Sequence, residues 1–290
     1  GAPPTPSPAS SAPVTATPTP TPSVAAPITA DQMLTAPVPR LCKHPAGTLV
    51  NGELRAKDPH DGGSQIALYP NPAWQRLSFR AWAGEDGAPY AALVVDCDRG
   101  GVAWPPHVVF YRSGPQVLGE IDVSGVVGNG RQGVAALAPV PGGVRLSLTN
   151  TYQKDEDGCC GTLDVVADVT WDGTRARGKV IRRITEKATA KQAFLAALEG
   201  DKTLVEKLFD AKGRAEALHT EFFVTGPGDW REDFSCDSAA ADQLFDGEGR
   251  DYDRVCYFGA KAAYVAAFVA LKHVGFGTWR AVGIQVTTTD

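Results

Sequence analysis

Six cysteines are the residues in this chain whose chemistry can best be inferred from their positions. They are Cys42, Cys97, Cys159, Cys160, Cys236 and Cys256. An even number, with no C-x-x-C spacing, favours disulfide bonds and an oxidising compartment over metal binding. Cys236 and Cys256 stand apart from the other four and lie 20 residues from each other, so we expect a bond between them.

The pairing of the other four cysteines follows from the adjacency of Cys159 and Cys160. Adjacent cysteines seldom bond to each other, because the eight-membered ring that results is strained. We therefore expect Cys42 and Cys97 each to pair with one of them, and the sequence leaves open which takes which. No helix start or histidine partner indicates a reactive thiolate. We interpret His44, close to Cys42, as a loop histidine beside a disulfide and not as a ligand.

Metal-binding patterns are weak. There is no H-E-x-x-H motif, and Asp, Pro and Gly in the loop 58–63 are also what a tight turn requires. Residues 155–158 resemble the start of a calcium loop, but Val166 stands where the bidentate glutamate belongs. Residues 246–253 are also acidic. We predict solvated acidic loops and no metal, and keep a calcium-dependent adhesion module as an alternative.

Two further patterns bear on catalysis and cofactors. Residues 128–133 read G-x-G-x-x-G, but prolines at 139 and 141 follow where a dinucleotide site needs a helix, so we expect no nucleotide cofactor. No G-x-S-x-G elbow occurs. The groups that suit acid–base chemistry in the C-terminal part are His219, Glu221, Asp229 and His273. They support a hydrolase or isomerase only as an alternative, and we assign no catalytic residue.

Composition limits the class of protein. The chain has 290 residues and a formal net charge of −5. It contains no run of 18 apolar residues that would span a membrane. The basic run at 175–183 alternates as on a solvated strand face, so a nucleic-acid partner is not indicated. We expect neither a nucleic acid nor a cofactor.

The first 28 residues are rich in Pro, Thr and Ser and carry no charged side chain. Such a segment has nothing to bury, which predicts a disordered, polyproline-like linker. Fully extended, it would reach roughly 85–90 Å at about 3.1 Å per residue. We expect a tether that follows a removed signal peptide, and a lipidated cysteine just upstream would fit it.

The elements that must position these residues fall into two groups. Between 29 and 185, short β-branched segments alternate with Gly, Pro and Asp-Gly turns, which predicts an all-β antiparallel domain, sandwich or barrel-like and pinned by disulfides. Its expected strands are 48–54, 65–69, 75–82, 91–97, 107–112, 116–123, 134–138, 144–151, 163–171 and 177–184. Thr29 and Gln32 predict a short capped helix before them.

After residue 185 the hydrophobic period changes, so we place a domain boundary there. Helices are expected at 188–198 and 202–209. Strands are expected at 218–225, 254–258, 262–274 and 278–287, of which 262–274 is Ala-rich and equally compatible with a helix. Residues 186–290 therefore predict a small α+β domain, and the whole chain is predicted to be multidomain.

Residues 90–185 resemble a known family. The strand at Asp96-Cys97, the hairpin at 108–121, the strand at 144–149, the cysteine pair and the turn at 169–173 are similar to actinobacterial exported proteins of the LppP/LprE lipoprotein type. That resemblance implies an envelope lipoprotein without established catalytic activity. Residues 194–201 and 277–282 faintly resemble NTF2-like or cystatin-like modules, a fold that often encloses a pocket.

These observations together predict a non-catalytic, monomeric protein that is exported to the cell envelope, secreted or lipid-anchored. We expect it to bind a protein partner or a wall-associated ligand. Contact with a membrane would come only through an N-terminal lipid. A pocket-type hydrolase or isomerase and a calcium-dependent adhesion module are the alternatives.

Overall fold

The computed structural model describes residues 1, 26–55, 65–68, 76, 78–98, 104–156, 161–224, 226–238, 245, 251–261 and 264–288. Within these residues the chain is mainly antiparallel β-sheet with a smaller helical part. Most of the predicted N-terminal linker, the loop at 58–63 and the pair Cys159-Cys160 lie outside the described residues.

A six-stranded antiparallel sheet forms around β6, whose run Ala91-Ala-Leu-Val-Val95 is buried on both faces. The strand order is β3-β4-β6-β7-β8, and β5 also pairs with β6. A continuous apolar run suits this central position, because neither face meets water. The strands are β3 (Glu53–Leu54), β4 (Gln65–Leu68), β5 (Phe79–Ala83), β6 (Pro89–Asp98), β7 (His107–Arg112) and β8 (Gln116–Asp122).

A four-stranded meander packs against one face of that sheet. Ala92, Val94 and Phe110 of the first sheet share one apolar core with Leu146 and Val165 of the second. This arrangement confirms the prediction of packed antiparallel sheets. The strands of the meander are β9 (Gly130–Val140), β10 (Gly143–Thr151), β11 (Leu163–Trp171) and β12 (Ala176–Ile184), and a short helix α2 (Ser124–Val127) precedes them.

The predicted Asp-Gly hairpin connects β11 to β12. The Asp172 carboxylate accepts hydrogen bonds from the backbone N–H groups of Thr174 and Arg175, both at 2.9 Å. Gly173 has φ +96°, a left-handed conformation that glycine adopts at little cost. Strand β9 begins at Gly130 within the G-x-G-x-x-G sequence and runs to Val140, so a strand lies where a dinucleotide site would need a helix.

The other face of β6 is covered by the N-terminal segment. Met33, Leu49 and Tyr111 lie in this second core, and the Tyr111 hydroxyl donates to the carbonyl of Pro37 at 2.8 Å. The predicted capped helix is present as α1 (Ala30–Met33), with the capping box between Thr29 and Gln32. Strands β1 (Pro37–Val38) and β2 (Gly47–Thr48) pair beside it.

The C-terminal part packs three helices against a second four-stranded meander. Phe194, Phe209, Trp230 and Phe258 form the centre of their shared core. The helices are α3 (Lys187–Glu199), α4 (Lys202–Leu208) and α5 (Ala211–His219), and a 3-10 turn follows at Pro227–Asp229. The strands are β13 (Ser235–Ser238), β14 (Arg254–Gly259), β15 (Val265–Gly275) and β16 (Thr278–Thr288).

One sequence prediction fails in this part of the chain. Residues 218–225 form no strand where they are described, and a third helix, α5, ends at His219. The Asp210 carboxylate starts that helix by accepting the N–H of Gly213 at 2.7 Å. Gly213 lowers helix propensity, but a Cβ there would lie 2.8 Å from the carbonyl carbon of Val282, so close packing on β16 requires glycine. The Ala-rich segment 262–274 is largely the strand β15.

Candidate binding cleft and the contacts around it

Among the residues that the structure describes, Arg254 on β14 is the largest fully buried side chain and is only 2% exposed. Its Nη1 donates to Asp155 Oδ2 at 2.7 Å, and its Nη2 donates to the carbonyl of Cys236 at 2.9 Å. Glu156 and Glu186 each place a carboxylate oxygen 3.6 Å from the guanidinium. One cation thus joins the segment after β10, the start of α3 and the last sheet.

Hydrogen bonds fix the carboxylates of this cluster. Gln153 Nε2 donates to Glu186 at 2.8 Å and to the Thr162 hydroxyl at 3.0 Å, and that hydroxyl donates to Glu156. Partial burial works toward a higher pKa for Asp155, but the hydrogen bond and positive charge of Arg254 outweigh it and lower the pKa. The first two acids of the acidic loop at 155–158 therefore bind protein groups in this structure. The Glu156 side chain is only 5% exposed, so the prediction of a solvated loop is wrong for this residue. Calcium binding stays an alternative that the structure does not test.

His273, one of the four acid–base candidates, contacts a buried carboxylate. The ring Nε2 lies 2.8 Å from Asp164 Oδ2, and the N–H of Gly277 donates to the same oxygen at 2.5 Å. The ring also packs against Trp279, with 4.9 Å between centroids. This pair links β11 to the turn between β15 and β16.

The other three candidates are separate from that pair. His219 is exposed in the last turn of α5, Glu221 follows it, and Asp229 is exposed in the 3-10 turn. No hydrogen bond or ion pair within the described ranges joins any two of the four. The structure does not assemble them into one acid–base site.

An open cleft of about 400 Å³ lies where α5 meets β15 and β16. Its walls carry three cationic side chains, two carboxylates and two valines. They are Asp210, Lys212, Asp251, Lys272, Val274, Arg280 and Val282. Successive strand residues point to opposite faces, so Lys272 and Val274 line the cleft while His273 between them faces the core.

The charged groups of the cleft are held in place. Lys272 Nζ donates to Asp251 at 2.7 Å and to Asp253 at 3.1 Å. Burial works toward a lower pKa for Lys272, but these two carboxylates raise it, so the ammonium stays charged. Arg280 Nη1 is oriented by the carbonyls of Lys207 and Phe209, at 3.3 and 3.5 Å.

Within the part of the chain that the structure describes, no carboxylate pairs with Arg280. The Asp210 carboxylate accepts the N–H of Gly213 at the start of α5, and the Asp251 carboxylate accepts a hydrogen bond from Lys272. The sequence did not predict this site, because its residues lie as far apart as 210 and 282. The sequence offered one indication of the site. Side chains alternate between the two faces along β15 and β16, which places 272 with 274 on one face and 280 with 282 on one face.

The disulfides confirm one predicted pairing and correct another. Cys236 is bonded to Cys256, as expected. Cys42 is bonded to Cys97, so the prediction that each would pair with Cys159 or Cys160 is wrong. Cys42 lies in a tight turn, with φ +52°, in which Leu41 and His44 pair. That turn places the Cys42 sulfur beside Cys97 near the end of β6, and the spacing of the cysteines in the sequence does not predict this proximity.

Two groups of potential metal ligands occur among the described residues. They are Cys42, Cys97 and His107, and Glu186, Cys236 and Cys256. In both groups the sulfur atoms form a disulfide, whereas metal binding requires thiolates. His44 does not belong to either group; its Nδ1 lies 2.8 Å from the carbonyl of Pro45.

Comparisons with known proteins leave the family open. No family model, no curated protein and no solved structure matches this chain. The resemblances to LppP/LprE lipoproteins and to NTF2-like or cystatin-like modules therefore stay predictions. None of the helices within the described ranges has the length and apolar character needed to cross a membrane.

Proposed function

We propose that this protein is a non-catalytic, exported binding protein of the cell envelope, and that the cleft between α5 and the β15–β16 hairpin takes an acidic ligand. The observation that carries the proposal is Arg280, a guanidinium oriented by two carbonyls and left without a carboxylate partner in the described chain. A guanidinium recognises carboxylate and phosphate groups through paired hydrogen bonds.

The size and lining of the cleft support a small ligand or a short segment of a larger one. About 400 Å³ lies within the usual range for ligand sites. Val274, which is exposed, and Val282 offer an apolar wall beside the cations. The class we propose is a sugar acid, a sugar phosphate or an acidic peptide terminus of a wall-associated ligand.

Two disulfides support the exported location, because such bonds persist in oxidising compartments. A lipid anchor upstream of the Pro/Thr/Ser-rich segment and a monomeric state are parts of the same proposal. We also propose two domains, 29–185 and 186–290. The apolar core built from residues 190–286 is separate from the two cores built from residues 28–180, which supports that division.

The test is a titration of the whole chain with glucuronate and with glucose 1-phosphate, followed by NMR chemical shifts. We expect shifts in residues 272–274 and 280–282, and R280A to weaken binding about tenfold or more, because a hydrogen bond to a charged group is lost. R280K should recover only part of the affinity. R55A, at an exposed arginine outside the cleft, is the control. Equal binding by R280A, or shifts elsewhere only, would reject the cleft as the site.

The alternatives from the sequence have separate tests. Among the four acid–base candidates, His273 is the one that contacts a buried carboxylate, so hydrolase or isomerase activity should depend on it. Turnover that survives H273A would exclude His273 as the catalytic group. A calcium-dependent module predicts a lower melting temperature in a chelator, and an unchanged temperature excludes it.

A further inference from the structure

The outer face of the β9–β12 sheet carries a group of cations that the cleft does not involve. Val165, Ala167 and Val169 of β11 point into the sandwich core. Asp168 and Thr170 therefore point to the opposite face. One end of that face is covered, since Asp164 there is fully buried against His273 and Gly277. The other end is open to solvent.

The register of the strands brings four basic side chains to this open end. Arg145, Asp168 and Lys179 form one row across β10, β11 and β12, and Thr170 and Arg177 form the next. Arg182 lies opposite Val166 on the other side of the first row. We call Arg145, Arg177, Lys179 and Arg182 the cationic face.

Carboxylates neutralise only part of this charge. Arg145 pairs with Asp168 at 2.6 Å and Arg177 with Asp172 at 2.7 Å, and their side chains remain 43% and 51% exposed. Lys179 and Arg182 are exposed and form no ion pair with any residue that the structure describes. The patch is positive in a chain whose net charge is −5, so it differs in sign from the protein as a whole.

Protection of a sheet edge explains only some of these residues. Charged side chains on an edge strand such as β12 discourage pairing with another chain. Arg145, however, belongs to β10, an interior strand, and projects from the middle of the sheet face. Small side chains surround it, with Ala136 and Ala138 exposed on β9, so the face is shallow and accessible.

We propose that the cationic face binds a linear anionic glycan, a polysaccharide with an acidic group on successive sugar units. Positions two apart on a strand are about 7 Å apart and neighbouring strands about 4.8 Å apart, so the cations form a grid that contacts several acidic groups at once. Single-stranded nucleic acids are typically bound with aromatic stacking. The cationic face and its neighbours Thr170, Ala136 and Ala138 include no aromatic side chain.

The proposal shares only the exported location with the proposed function and does not depend on the cleft. The test measures binding of the whole chain to immobilised polygalacturonate, a linear glycan of carboxylate sugars, at several salt concentrations. We expect K179E/R182E to bind at least about tenfold more weakly and with a smaller salt dependence, because fewer counterions are displaced.

The control is K191E/K202E, which changes the net charge by the same amount on exposed helix positions. It should retain parental binding, and circular dichroism should show both double variants folded. Equal losses in the two double variants, or none in K179E/R182E, would overturn the proposal. Binding to phosphatidylglycerol vesicles without binding to the glycan would also overturn it and assign the face to a lipid surface.

Discussion

Asp96 provides a direct test of how burial acts on a charge in this fold. It lies on the central strand β6, opposite Ala67 of β4. No hydrogen bond or ion pair connects it with any of the residues described. Burial raises the pKa of its carboxyl from 3.8 to about 7. At a pH between 3.8 and about 7, Asp96 therefore stays protonated in the folded chain and loses its proton in the unfolded chain.

The sign and size of the effect follow from this difference. Because Asp96 binds a proton more tightly in the folded state, its contribution to the free energy of unfolding falls as pH rises from about 4 to about 7, and then levels off. At 1.36 kcal/mol per pKa unit, the loss is on the order of 4 kcal/mol. Asp96→Asn keeps the shape without the charge, so we expect the variant to be more stable than the parent by up to that amount at pH 8.

The assay is urea unfolding of parent and D96N from pH 4 to pH 8.5, monitored by circular dichroism. Subtracting the two curves removes the contribution of every other titrating group. We expect a difference near zero at pH 4 that grows until about pH 7. A difference independent of pH, or a D96N that is less stable at pH 8, would refute the assignment of a partly buried carboxyl whose pKa is raised by burial.

Three further predictions concern bonds seen in the structure. Arg254→Met should lower the free energy of unfolding by about 3–5 kcal/mol, because it leaves buried carboxylates without their cation; urea titration measures the loss. Replacing Cys236 and Cys256 together by serine should cost about 3 kcal/mol, the cost expected for a crosslink of this span, and calorimetry measures it. Arg145→Met should leave the urea unfolding midpoint close to that of the parent, because its pair with Asp168 is exposed to solvent.

Each of these has an outcome that would contradict it. An R254M chain as stable as the parent would mean that the buried cluster does not hold its segments together. An unchanged melting temperature without the second disulfide would show that the crosslink does not restrict the unfolded chain. A large loss of stability in R145M would show that Arg145 and its pair with Asp168 are needed for folding.

Most strands of the sandwich were predictable to within a few residues, but the single strand predicted at 48–54 is wrong, because Asn51-Gly52 forms a turn between β2 and β3. The predicted 107–112 and 163–171 coincide with β7 and β11, and 91–97 lies within β6. Here apolar runs, β-branched residues and turn residues all favoured the same local structure. The third helix was missed because Gly213 and the polar residues around it gave no clear period. Helix α5 is stabilised by its packing on β16, where Gly213 lies against Val282.

The candidate site could not be predicted in the same way. Lys212, Lys272 and Arg280 lie on three elements that meet only after folding, and the sequence showed them as ordinary surface charges. Arg254 likewise gave no sign that it would be buried, since arginine is usually exposed. Its partners Asp155 and Glu186 lie 99 and 68 residues away, which local patterns do not report.

What the sequence determined by itself is local: the alternation that makes a strand, the Asp-Gly turn after Trp171, the capping box at Thr29 and the pairing of Cys236 with Cys256. The tertiary structure alone decided which distant groups meet. It bonded Cys42 to Cys97, set His273 against Asp164, and oriented Arg280 in its cleft. The physical reason is range, since turns and strand periods depend on neighbours within a few residues. A disulfide between distant segments, such as Cys42–Cys97, depends instead on how complete sheets pack together, as do buried ion pairs and binding clefts.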